Sequence, residues 1–290
     1  AAMNPAGTLG VFTTAKDRST ELRDAVRAHA GNGTANGLWA QVTGGKTKLK
    51  GISTGAQDLD LDTDAYGLAV GGEAAVQNIT LGAAFMGGSG KTENDSVAGK
   101  DDFNYYGLSL YAKTQVQGID LEGDLSAAWL KSDLTVGSAA DVDTDTTTAV
   151  YSLGIQAKKT FNLGVDVTPF IGMDVYHIKS DGFTTNHGVS IEDANATIVE
   201  FPIAEVKKAF QTSTGFSVAP SFSLAVVPTV GSKDIDSKVR FAGAESSYNF
   251  TFADDVKVRS QLGIEAQKDN FTLGLAAGYD WGNEERSAAS

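Results

Sequence analysis

The chain has no cysteine, which excludes a disulfide framework, a zinc ribbon and a thiolate nucleophile together. Histidine is nearly absent too, at 3 in 290 residues, so a catalytic triad has little to draw on. Basic residues are scarce: 23 Lys and Arg face 36 Asp and Glu, and the net charge of -13 argues against nucleic acid as a partner, because a phosphate-binding surface needs cations where it touches the backbone. No run of 18 apolar residues occurs, which excludes a transmembrane helix. It does not exclude a membrane. Transmembrane strands need only about 9–11 residues each and hide their apolar face by alternating it with a polar one. The N-terminal AAMNPAGTLGVF has no basic leader, apolar core and cleavage site, so an export signal is expected outside this chain.

What is present is alternation. After one polar segment the chain reads as successive strands of period two. Leu38, Ala40 and Val42 share a face, as do Tyr66, Leu68 and Val70, then Leu81, Ala83 and Phe85, then Tyr106, Leu108 and Leu110. In the fifth strand Leu121, Leu125, Ala127 and Trp129 oppose Asp120, Glu122, Asp124 and Ser126, a row that a soluble core would not bury. Tyr151 to Lys158, Val167 to Tyr176 and, more blurred, Ile198 to Phe210 follow, with Val199, Phe201 and Ile203 facing away from Glu200. Phe216 to Val226, Val258 to Glu265 and Phe271 to Trp281 complete eleven. Aromatics toward the strand ends, with Trp39, Tyr66, Trp129, Tyr279 and Trp281 as the candidates, suit a girdle at the membrane interface.

The connections alternate in length. Short links at Gln77–Asn78, Gln117–Gly118, Asn162–Gly164, Gln211–Thr214 and Lys268–Asn270 separate long polar ones at Lys46–Asp62, Gly87–Asp102, Lys131–Thr146, Lys179–Asn195 and Gly231–Asp255. Short turns on one rim and long loops on the other describe an outer-membrane β-barrel, with the short turns periplasmic and the long loops extracellular. Such barrels close with an even number of strands, so a twelfth is expected. GNEERSAAS at the end reads as a long-side loop, so either the closing strand is missing from the chain or the count of eleven is one short.

The segment from Ala15 to Gly31 is the one helix expected. Leu22, Ala25, Val26 and His29 recur at spacings of three and four, flanked by Lys16, Arg18, Arg23 and Arg27. Its apolar stripe is thin, so it needs a polar cavity. Lumen-facing positions offer one: glycines at 67, 71, 82, 107, 154, 172, 263, 274 and 278 leave space, and Glu73, Asp120, Glu122, Asp124, Asp174 and Glu265 can meet the helix cations. A plug held by charge pairs is expected; the alternative is that glycines relieve crowding in a curved sheet and acids line a water-filled pore.

The polar helix with Arg18, Glu21, Leu22 and Arg23, the Gly-Leu-Trp-Ala-Gln run at Gly37–Gln41 and the Gly-Tyr-Asp-Trp pattern at Gly278–Trp281 resemble the C-terminal translocator domain of classical (type Va) autotransporters of Gram-negative bacteria. The resemblance covers nearly the whole chain. It implies an all-β, twelve-stranded transmembrane barrel with the helix in its lumen, divided as residues 1–14, a linker from the passenger; 15–35, plug helix and linker; and 36–290, barrel. It also implies an upstream passenger carried to the cell surface, assembly by the barrel-assembly machinery, and contact with outer-membrane lipid and lipopolysaccharide by a monomer. The family's terminal Phe or Trp is lacking, and so is the Asn-Asn pair of those members that cut their passenger within the helix.

Other constellations are weaker. His177, with Asp174 and Asp181 near it in sequence, is the only seed for a barrel hydrolase, and His29 and His187 do not complete it. Asp58, Asp60, Asp62 and Asp64, and Asp141, Asp143 and Asp145, lack the glycine and terminal Glu of a calcium loop. Gly87–Lys91 precedes no helix and is not a phosphate loop. No catalytic residue, metal or cofactor is expected. The function expected is translocation and anchoring of a passenger; the alternative is a self-contained porin-like channel or, behind it, a hydrolase using His177.

Overall fold

A computed structural model describes residues 6–31, 37–53, 58–94, 99–136, 142–185, 188–203, 217–268, 271–282 and 286–289. Helix α1 runs Ala6–His29. The barrel wall comprises β1 (Leu38–Ser53), β2 (Asp58–Val76), β3 (Ile79–Asn94), β4 (Gly99–Val116), β5 (Ile119–Val136), β6 (Val142–Lys158), β7 (Phe170–Ser180), β8 (Ala194–Glu200), β9 (Ser217–Gly231), β10 (Val256–Lys268), β11 (Phe271–Gly282) and β12 (Arg286–Ala289). All neighbours are antiparallel and the sheet closes on itself between β1 and β12. Closure removes sheet edges, which matters because an unmet backbone group in hydrocarbon costs several kcal/mol.

Outward side chains define a belt. Leu68, Leu81, Leu108, Leu110, Leu125, Leu153, Ile155, Leu262 and Leu275 are all exposed on the outer face, as only a lipid-facing surface permits. Above and below them the wall turns polar. The two-residue turn at Gln117–Gly118 has both residues at positive φ, 52° and 76°, the twist that suits a tight hairpin.

Three expectations need correction. The long links at Lys46–Asp62, Gly87–Asp102 and Lys131–Thr146 are largely strand, because β1 to β6 continue past the apolar belt before they turn. There the pattern inverts: Lys48, Asp62 and Lys100 face outward while Leu49, Leu61, Phe103 and Leu134 are buried inside. Polarity marks the end of lipid, not the end of the strand. Secondly, the C-terminal segment read as a loop contains the twelfth strand: Arg286–Ala289 pairs with Lys46–Leu49 of β1 and with Tyr279–Trp281 of β11. Thirdly, the helix begins at Ala6, nine residues ahead of Ala15 and within the segment read as linker, although Gly7 and Gly10 weaken the local propensity. His187 and residues 204–216 lie outside the described residues.

Most lumen glycines serve the wall itself. A methyl group on Gly82 would overlap the Tyr111 ring, one on Gly71 the Trp39 indole, one on Gly67 or Gly88 the Tyr105 hydroxyl, and one on Gly90 the Phe103 ring. Each aromatic lies flat across a neighbouring strand where a side chain is missing, filling the inner face without crowding the lumen. Gly82→Ala is expected to cost about 1–3 kcal/mol by overpacking. In a Tyr111→Ala background the same change should cost less than roughly 0.5 kcal/mol, because the clashing ring is gone. Urea unfolding of the folded band in lipid checks the coupling; equal costs in both backgrounds would contradict it.

Candidate functional site: the helix in the barrel lumen

At about 1.5 Å per residue a 24-residue helix is about 36 Å long, enough to run the depth of a hydrocarbon core of about 30 Å. It does so inside the barrel, packed against β1 to β7. Its ends are anchored at opposite rims. At the N-terminal end Phe12 meets Phe252 edge to face at 5.6 Å, and Val11 and Phe12 share a buried cluster with Ile235, Phe250, Phe252 and Ala253 on the long-loop side. There the chain segments Asp234–Phe241 and Ala244–Thr251 form a hairpin that stands on the mouth. At the C-terminal end His29 stacks on Trp39 at 4.6 Å and bonds Gln41 at 3.1 Å. The helix stops at Gly31, whose φ of 73° is the left-handed conformation that ends helices. Its N–H donates to Glu73 and the Ala30 carbonyl accepts from Lys113 at 3.3 Å, so the wall satisfies groups the helix leaves open.

Between the anchors the helix is buried on nearly every side, polar residues included, which a soluble core would not tolerate. Arg23, only 1% exposed, is the centre. Its Nε donates to Asp124 Oδ2 at 2.6 Å and its Nη2 to Asp174 Oδ1 at 2.8 Å, while the Tyr176 ring lies 5.0 Å from the guanidinium carbon. Arg27, one turn on, donates to Asp174 Oδ1 at 2.6 Å and to Asp124 Oδ1 at 3.3 Å. Two arginines and two aspartates from β5 and β7 thus balance in charge, each acid serving both cations. Gly154 on β6, between those strands, makes the approach possible: a methyl there would overlap Arg23 and crowd Arg27 and Asp174. Gly107 similarly admits Leu22.

The other helix cations are placed differently. Lys16 pairs with Glu200 of β8 at 2.6 Å, which Lys257 of β10 also reaches at 3.3 Å. Arg18 pairs within the helix, with Glu21, and lies over the Tyr105 ring at 5.5 Å. A reversed pair adds to these: Asp24 of the helix meets Arg259 of β10 at 3.3 Å. Thr20 and Ser19 approach the Tyr176 hydroxyl and Ser152, both at 3.3 Å, and Asp17 accepts from the Thr47 hydroxyl of β1 at 3.2 Å.

Of the six acids named from sequence, Asp124 and Asp174 meet helix arginines. Glu73 instead receives the Gly31 N–H at 3.1 Å and the Tyr111 hydroxyl at 3.2 Å. Glu122 pairs with wall lysines, Lys158 at 2.6 Å and Lys113 at 3.5 Å; Asp120 accepts from Gln115 at 3.0 Å. Glu265 is exposed and makes no helix ion pair among the described contacts. Glu200, Glu21 and Arg259 were missed, although Glu200 did stand alone against Val199 and Phe201 in the sequence. Tyr66, Tyr279 and Trp281 are exposed on the outer face, and Trp129 stacks there on Tyr106 at 5.3 Å. Trp39 departs from the girdle: it faces inward, buried, donating from its indole to the Tyr111 hydroxyl at 3.0 Å, because Gly71 opposite leaves it a slot. His177 faces outward and bonds Thr197 at 2.9 Å while Asp174 faces the lumen, so the two lie on opposite sides of β7 and form no dyad.

The chain belongs to the autotransporter β-domain family, whose signature spans residues 38–280. It is an outer-membrane barrel and a transport unit that carries and anchors a passenger domain. No curated protein matches it. Three solved structures share the fold. The translocator domain of the autotransporter NalP from Neisseria meningitidis is 13% identical with a TM-score of 0.70, over 97% of this chain and 94% of that one. The transport unit of AIDA-I from Escherichia coli is 12% identical at 0.62, over 87% of each. The β-domain of BrkA from Bordetella is 14% identical at 0.54, over 87% of this chain and 96% of that one.

Breaking a buried ion pair from one side costs about 3–5 kcal/mol. Arg23→Ala is therefore expected to raise the single-channel conductance of the purified barrel several-fold, whereas Lys46→Ala, in an exposed pair with Asp64, should leave it unchanged. Unchanged conductance in Arg23→Ala would mean that shape alone holds the helix.

Proposed function

We propose that α1 is the trailing segment of a passenger that leaves through this barrel, and that it stays behind as the plug and tether. The observation that carries this reading is the direction of the helix. Its N-terminal end lies at the long-loop rim beside Phe252, and its C-terminal end at the short-turn rim beside Gln41 and Glu73. A chain that continues ahead of Ala6 therefore emerges on the long-loop side, which in this reading is the cell exterior. The barrel performs no chemistry of its own: the lumen acids Asp124, Asp174 and Glu200 are occupied by Arg23, Arg27 and Lys16. Folding into the membrane needs the barrel-assembly machinery, and the apolar belt is solvated by outer-membrane lipid and lipopolysaccharide. A porin-like channel is the weaker reading, because a helix fixed by buried charges along the membrane depth obstructs the lumen.

The test places an epitope tag directly ahead of Ala6, behind an export signal, in cells with a sealed outer membrane. Added protease should remove the tag while a periplasmic marker stays intact. A tag protected on a folded barrel would leave the N-terminal end inside and overturn the reading.

A further inference from the structure

We infer that a narrow water-filled passage runs beside the seated helix, between α1 and the wall of β9, β10 and β11, that it passes small cations, and that Arg259 is its gate. The helix is not covered equally all round. Leu22, Arg23, Ala25 and Val26 are buried, whereas Thr13, Asp17, Thr20, Glu21, Asp24 and Ala28 keep contact with water. These six recur at spacings of three and four, so they form one stripe, about 22 Å long at about 1.5 Å per residue. The rest of the helix packs on β1 to β7, and the pair of Asp24 with Arg259 of β10 turns the stripe toward the remaining wall.

That wall leaves room. Between Arg259 and the short-turn rim its inward row is small or polar: Gln261 stands between Ser223 and Gly278, Gly263 between Ser221 and Ala276, and Glu265 between Ala219 and Gly274. None of these nine side-chain positions is buried, and a methyl on Gly274 would meet nothing within 4 Å. Across the lumen the corresponding space on β1 to β4 is filled by Trp39, Tyr105 and Tyr111. Opposite Arg259 and beyond it toward the long-loop rim, Ala225, Val227 and Thr229 of β9 are buried, so the passage narrows at Arg259.

The charges around it fix its selectivity. Arg23 and Arg27 balance Asp124 and Asp174 on the far side of the helix. Along the passage six acids, Asp17, Glu21, Asp24, Glu200, Glu265 and Asp280, face four cations, Lys16, Arg18, Lys257 and Arg259, an excess of two negative charges. A low-dielectric wall focuses that field on the water inside, which favours cations. Arg259 bridges the gap: it meets Asp280 of the wall at 3.1 Å and Asp24 of the helix at 3.3 Å, and at 28% and 51% exposure the second pair is wet enough to open. The inference needs the helix seated and does not need passenger export, so either can fail alone.

The test records single channels of the full chain in planar bilayers of potassium chloride, with the helix held in place by an oxidised Ser19→Cys/Ser152→Cys cross-link. The cross-linked barrel should pass a small current that prefers potassium to chloride by reversal potential. Arg259→Ser in that background should raise the conductance at least twofold, whereas the increase expected of Arg23→Ala should vanish, because only the latter needs the helix to move. Gln261→Trp, which fills the passage, should lower the current of the Arg259→Ser barrel at least twofold, and Glu265→Lys should weaken the preference for potassium. If Gln261→Trp does not yield a folded, heat-modifiable band, Ser223→Trp carries the same expectation. An Arg259→Ser increase that the cross-link abolishes would make Arg259 a mere holder of the helix and overturn the assignment, as would a current that chloride carries equally or that the tryptophan leaves unchanged.

Discussion

Two arginines and two aspartates, closed off from water in the middle of a barrel, set the terms for the rest of this molecule. Burying four charges is costly, and the mutual attraction repays it only where geometry is tight and every lone pair is used. Arg23 and Arg27 sit one turn apart on α1, Asp124 and Asp174 project from strands separated only by β6, and Gly154 leaves the gap they fill. No other register of the helix presents two guanidinium groups to two carboxylates. The lock thus contributes placement more than net stability: it fixes the depth and rotation of a helix that has too little apolar surface to fix itself.

The remaining contacts extend that placement toward both rims. Phe12 on Phe252 is an apolar anchor at the long-loop mouth, while His29 on Trp39, with Glu73 and Lys113 capping Gly31 and Ala30, is a polar one at the other end. Lys16 with Glu200 and Asp24 with Arg259 tie the helix to β8 and β10 on the other flank. The wall in turn is arranged around the occupant. Where the helix needs space, Gly107 and Gly154 yield it to Leu22 and Arg23; elsewhere Gly67, Gly71, Gly82 and Gly88 yield it to aromatics that line the wall. Glycine thus makes room for the helix at some positions and for wall aromatics at others.

The alternation of apolar and polar residues made the barrel legible, because lipid on one side and water or helix on the other force period two on every strand. Asp124 and Asp174 were legible for the same reason, as acids on rows that oppose leucines and valines. The same dependence on lipid hides the strand ends. Above the belt no lipid selects apolar residues, so β1 to β6 were cut short at Lys46, Gly87 and Lys131. Trp39 looked like an interfacial aromatic, yet its slot depends on Gly71 in another strand, a pairing no local pattern reveals. Glu200 was hidden by a weak strand, since β8 has only seven residues and pairs with β9 through three. The first nine residues of the helix were hidden because their order comes from the mouth of the barrel and not from propensity.

The helix is seated in the assembled barrel at the depth fixed by the arginine–aspartate lock. Ser19 and Ser152 approach within 3.3 Å between their hydroxyl oxygens, and the chain has no cysteine to interfere. Ser19→Cys/Ser152→Cys, oxidised after assembly in cells, should cross-link nearly completely, and adding Asp124→Asn/Asp174→Asn should sharply lower the yield. A folded barrel that does not cross-link, or cross-links equally without the two aspartates, would contradict the account.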